Sequence, residues 1–215
     1  MPNVIRIVDN GAITGNSPVY VLGSKLDYIG GVAKTVGVEI PTGAAMNANI
    51  TVNNSGGVTL GAGLTYQLYG GMTISPGQVL AFNTNTILDL FAGSYCWSGS
   101  FQGNSSASLR FMGAVAQLCS CINFVAPQDL NTLVLNSAGM GLGSNLTLYG
   151  ALTVAAGQQL GIGSCGSPTL SLRSGGTLTP ANAIHVYSGA TLEIDGSISL
   201  SGAGTTQYDV GSNLR

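Results

Sequence analysis

Two stretches of this 215-residue chain repeat one another. Asn54–Thr65 (NSGGVTLGAGLT) returns as Asn136–Thr147 (NSAGMGLGSNLT), an offset of 136 − 54 = 82. Leu68–Phe82 (LYGGMTISPGQVLAF) returns as Leu148–Ile162 (LYGALTVAAGQQLGI), an offset of 148 − 68 = 80, because Tyr66-Gln67 is extra in the first copy. Ile87–Leu90 (ILDL) against Thr169–Leu172 (TLSL) restores the offset of 82. A short apolar strand that recurs along a chain buries its face by stacking on its neighbours, and architectures built this way serve mainly as scaffolds or binding surfaces.

The finer pattern is a pair of apolar residues two apart, then a corner rich in Gly, Asn and Ser. Ile50/Val52, Val58/Leu60, Tyr66/Leu68 and Met72/Ile74 form one series, and Leu146/Leu148, Leu152/Val154, Leu160/Ile162 and Leu170/Leu172 the second. Ile184/Val186, Leu192/Ile194 and Ile198/Leu200 continue it. Alternation over so few residues specifies a short strand with one buried face, and the corner residues tolerate the positive φ of a tight bend. Two architectures fit. In a parallel β-solenoid each pair is one side of a coil and roughly three sides complete a turn. In an antiparallel meander or sandwich, turns such as Tyr69-Gly70-Gly71 would close hairpins.

The uneven spacing, the scarcity of charge on the outward positions and the duplication favour the solenoid. The predicted fold is therefore all-β, a parallel β-helix-like solenoid built by tandem duplication. Residues 1–45 form an N-terminal cap or attachment segment, 46–112 the first copy, 113–128 a linker or protruding loop, and 129–215 the second copy.

Composition narrows the function. Hydrophobic residues make up 45% of the chain and charged residues 7%, against about 25% charged in an ordinary domain. That balance excludes disorder, which needs the opposite, and disfavours helices, whose exposed faces are built from Lys, Glu and Arg. Six Lys/Arg against eight Asp/Glu give a net charge of −2, with no basic patch to neutralise phosphates, so no nucleic-acid partner is expected. No apolar run reaches the roughly 18 residues of a membrane-spanning helix. The N-terminus, MPNVIRIVDNGAITG, lacks the pattern of a signal peptide. Low charge also leaves little repulsion against self-association. A homo-oligomer, trimer or filament, is the expected state, with Val4, Ile5, Ile7 and Val8 and the segment Val19, Tyr20 and Val21 as its N-terminal assembly strands.

Chemistry-bearing motifs are few. Gly161-Ile-Gly163-Ser-Cys-Gly166 has the spacing of a dinucleotide loop, but Pro168 and the strand-like TLSL follow where a helix is required. His185 is the single histidine; flanked by Ile184 and Val186, it points outward. Glu193 and Asp195 share a strand face and read as solvent-side acids, with no second His, metal-ligand spacing or nucleophile elbow beside them. Thr84-Asn-Thr86 and Thr177-Leu-Thr179 are isolated and make no ice-binding ladder. Neither catalytic residues nor a cofactor nor a metal is expected. Tyr95-Cys-Trp97 with Phe101 is the best candidate for stacking on a sugar ring, the competing reading being ordinary corner packing or a subunit contact. The four cysteines, Cys96, Cys119, Cys121 and Cys165, are not matched between the copies. Cys119 and Cys121 are too close for an easy bridge within one strand, so free thiols are expected, a bridge between chains being the alternative.

The texture of residues 45–205, strand-rich and dominated by Gly, Ser, Thr and Asn, resembles phage tail fibres and spikes and bacterial β-solenoid adhesins. No family-specific motif anchors that resemblance, so it carries over no functional residue. It implies a non-enzymatic structural subunit on a virion or extracellular surface. A module binding a cell-surface glycan is the alternative, and a polysaccharide-cleaving β-helix enzyme with Glu193 and Asp195 as its acids a more distant one.

Overall fold

The computed structural model describes residues 3–91, 93–113, 115–118, 121–136, 139–173, 175–180, 184–197, 199–200 and 204–215. It is an all-β, parallel β-solenoid of about 9 turns, with no helix among the described residues. Three faces run along the coil. The first carries β1 (Val4–Val8), β2 (Lys25–Gly30), β5 (Asn49–Asn54), β8 (Met72–Ile74), β11 (Gly93–Trp97) and β13 (Val115–Leu118). It continues through the Ile122–Leu142 bridge into β15 (Met140–Leu142), β18 (Leu160–Ile162), β21 (Ile184–Val186) and β24 (Thr206–Tyr208). The second holds β3 (Lys34–Thr35), β6 (Val58–Thr59), β9 (Val79–Ala81), β12 (Ser100–Phe111), β14 (Phe124–Leu135), β16 (Leu146–Leu148), β19 (Thr169–Leu172), β22 (Thr191–Ile194) and β25 (Asn213–Leu214). The third holds β4 (Ala45–Met46), β7 (Thr65–Leu68), β10 (Ile87–Leu90), the later halves of β12 and β14, β17 (Ala151–Val154), β20 (Thr177–Pro180) and β23 (Ser199–Leu200).

β12 and β14, 12 residues each, round the corner without a break and join the second and third faces into one sheet. Their mutual register shifts at Gln102/Asn104 and Asn104/Ser108, where that corner is turned. Inside, successive turns align their apolar pairs, as Leu26/Tyr28, Ile50/Val52, Met72/Ile74 and Tyr95/Trp97 do on the first face. One continuous core results, from Ile7 to Leu192, and each fully buried side chain of this kind contributes roughly 1.5–3 kcal/mol relative to exposure.

Corners are held by backbone and by Asn. Asn54 is buried, donates from Nδ2 to Val32 O at 2.9 Å and accepts from Gly56 N at 2.9 Å. The following Gly57 has φ 83°, a conformation costly for a residue with a Cβ, and a Cβ on Gly56 would strike the Val32–Ala33 backbone.

The duplication recurs as local structure, strand then corner then strand, but its copies lie on different faces. β6 on the second face corresponds to β15 on the first, β8 on the first to β17 on the third, and β10 on the third to β19 on the second. An 82-residue offset is one side short of four turns, so the repeating element is the single side and not a domain. Residues 113–128, expected to link or protrude, instead supply β13, the bridging Ile122 and the start of β14, with Ile122 and Phe124 buried. Residues 3–45 form the first turns of the stack, since β1 pairs with β2 and β2 with β5. Residues 113–128 stay with the stack because a parallel coil gains its hydrogen bonds from the turns on either side, and a detached segment would forfeit them.

The first full turn differs from the rest inside. Lys34 stands in the inward column that Val58 and Leu80 continue, and its Nζ lies 3.5 Å from Glu39 Oε1, with both side chains buried. Tyr28 donates its hydroxyl to the same Oε1 at 3.4 Å, and Tyr20 donates to the Glu39 carbonyl at 2.7 Å. Among the described residues Glu39 Oε2 has no hydrogen-bond partner. Removing one half of a buried pair strands the other charge, whereas replacing both halves by apolar groups is close to neutral. K34M is therefore expected to lower unfolding stability in urea by about 3–5 kcal/mol, and K34M/E39M to recover most of that loss.

Candidate functional site

The aromatic trio proposed for sugar stacking lies inside the coil. Tyr95, Trp97 and Phe101 are 0%, 1% and 0% exposed. Tyr95 and Trp97 occupy the inward positions of β11, and Phe101 follows on β12. Trp97 stacks on Tyr95 with centroids 5.9 Å apart and meets Phe101 and Phe111 edge-on at 5.3 and 6.0 Å. Phe82 and Phe124 extend the cluster through Phe101. No face of these rings is open to a ligand, which corrects that assignment in favour of packing. Their alternation with Cys96, which is not buried, was the signal: Tyr95 and Trp97 are an inward pair like the Leu and Ile pairs elsewhere. W97A is expected to cost about 3–5 kcal/mol in a denaturant titration, the usual range for a buried aromatic cut to Ala.

The acids also have structural partners. Glu193 Oε2 accepts from Ser171 Oγ on the preceding turn at 2.6 Å, and Asp195 Oδ2 accepts from Arg173 Nη1 at 2.7 Å. Asp89, buried on the third face, takes a two-pronged contact from Arg110 at 2.6 and 2.7 Å. His185 Nε2 lies 2.8 Å from Asp209 Oδ1, and its ring stacks on Tyr187 at 4.0 Å. Each pair joins neighbouring turns along the axis, at sequence separations of 21, 22 or 24 residues. Among the described residues no group of three His, Cys, Asp or Glu could hold a metal.

Burial pushes the Tyr20 phenol up to about 12, with the Glu39 charge adding to it. The same causes, burial first, hold Tyr28 well above its ordinary value, and burial raises Tyr66. Because the folded-state values are raised, the protonated phenols support the fold below pH about 10, the unfolded value, and that support falls away as pH climbs toward about 12. An absorbance titration should accordingly show tyrosines ionising together with loss of the β signal above pH about 10, and Y20F should move that loss to higher pH.

Cysteine pairing departs from the expected free thiols. Cys121 and Cys165 form a disulfide across 44 residues with Cα atoms 6.2 Å apart, and Cys96 is disulfide-bonded as well; Cys119 lies outside the described residues. The Cys121–Cys165 link crosses the turn between its ends, where Gly141 leaves the room it needs: a Cβ there would collide with Cys121 Sγ and Ser164 Oγ. Gly161 lies in β18, and Gly163 and Gly166, with φ 95° and 156°, form the corner after it; no helix follows among the described residues. Strand periodicity carries no clue to this pairing, which joins turns two apart.

At the N-terminal end the proposed assembly residues divide. Ile7 and Tyr20 are buried and Ile5 is partly so, packed against the core, while Val4, Val8, Val19 and Val21 are exposed. Leu22 and Val32 join the exposed set. Open troughs run along the outside, one of about 320 Å³ beside Lys25, Asn49, Thr51 and Thr73 and one of about 240 Å³ beside Gly141, Gly161 and Tyr187. Neither gathers convergent charges. No family model matches this chain, and no curated protein or solved structure matches it.

Proposed function

We propose that the chain is a non-enzymatic structural subunit, a rigid rod that assembles with its own kind in a virion fibre or spike or another extracellular appendage. The observation that carries this reading is the single uninterrupted core of parallel turns, whose ion pairs and polar contacts tie one turn to the next. Such a coil resists bending and shear because every deformation strains many short hydrogen bonds together. Disulfides support placement outside a reducing cytosol, since cross-links of this kind persist in oxidising surroundings. Exposed Val4, Val8, Val19 and Val21 support self-association through the N-terminal turns.

Sedimentation velocity of the intact, oxidised protein across a wide concentration range checks the reading, paired with negative-stain images. The expected result is concentration-dependent oligomers or rods. A monomer at every concentration would overturn it.

A further inference from the structure

The apolar residues left in solvent are not spread evenly. Among the described residues, Val4, Val8, Val19, Val21, Leu22, Val32 and Val38 lie in the first turns, and Tyr208, Val210 and Leu214 in the last. Of the large apolar residues described in the long middle of the coil, only Leu64, Tyr69, Val125 and Tyr149 are exposed. Val19, Leu22 and Val210 are 94%, 88% and 96% exposed, close to the limit for a side chain attached to a fold. A solenoid that works alone needs end turns with polar outer surfaces. Here the first and last described turns carry exposed apolar side chains instead.

The strand edges agree. Among the described residues β1 pairs with β2 alone, and β23, β24 and β25 pair only with β20, β21 and β22. Edge strands of lone proteins are blunted by charge, Pro or a covering segment. Here β24 is TQY and β25 is NL, and the single charge of β1, Arg6, is already turned toward Asp27 on the next turn at 3.6 Å.

We propose that the N-terminal end of the coil docks onto the C-terminal end of a second copy of this chain, head to tail, so that the ladder passes from one molecule into the next. This rests on the structural reading above and names its partner. A second copy fits because both ends belong to one parallel stack: β1 and β24 lie on the same face, run in the same direction, and present the complementary rows of N–H and C=O groups that successive turns exchange elsewhere. The inward columns also meet, since Ile5 and Ile7 head the column of the first face and Thr206 and Tyr208 end it. Unlike ends stacked along one coil axis leave a free end of each kind after every addition, so the contact builds a filament.

Two variants test this in the full chain: V19K/L22K blocks the N-terminal end and V210K/L214K the C-terminal end, with wild-type circular dichroism as the check on folding. Wild type is expected to gain mass with concentration and reach no plateau. Each variant alone should associate about tenfold more weakly or worse, roughly 1.4 kcal/mol or more. Mixed, the two should form dimers of one copy each, because a single pair of compatible ends remains. Association of either variant alone equal to wild type would overturn the proposal, as would a mixture that stays monomeric. Oligomers indifferent to both variants would sink end-to-end docking and leave the structural reading standing; a monomeric wild type would end both.

Discussion

The parallel ladder between turns is what the molecule is made of. Each strand is too short to be stable alone, β3, β4 and β6 being only two residues long, and it persists because backbone groups on both edges are paired by the turns before and after. The same requirement aligns the side chains. Once Leu26 is in register with Ile50 and Ile50 with Met72, inward positions form columns, and outward positions of opposite charge such as Arg173 and Asp195 meet one turn apart. Core, surface pairs and corner glycines all follow from one repeated geometric step.

That step explains the places where the chain departs from its own pattern. Glycine at 141 clears space for a disulfide that crosses a turn. Lys34 and Glu39 put charge into a column otherwise apolar, but only in the first turn, with Tyr20 and Tyr28 placed to share its hydrogen bonding. The buried Lys–Glu ion pair thus sits where the stack starts. The exterior shows the converse, apolar at the ends and polar between. A ladder has unsatisfied groups only at its ends, and it is there that this surface carries its most exposed apolar side chains.

Much of the fold was legible in the residues. The pairs Ile50/Val52, Met72/Ile74 and Leu152/Val154 announce one-sided strands, and the Gly-rich corners and low charge select stacking over hairpins. The site was far less legible. Trp97 looks available when read as a rare aromatic, and only its place between Cys96 and Ser98 in the alternation marks it as inward. The segment 113–128 looks like an insertion because its Cys and Pro interrupt the rhythm, although Ile122 and Phe124 keep the coil going.

What the chain alone determined is the unit: a short strand with one apolar face and a tight polar corner, because both are set by neighbours a few residues apart. Tertiary structure decided how units fall on faces, so that copies 82 residues apart sit one face out of step. It also decided that Cys121 meets Cys165 and that Lys34 meets Glu39 inside the coil. Those outcomes depend on the number of residues each corner consumes, a quantity summed over many turns and fixed only when the turns close on one another.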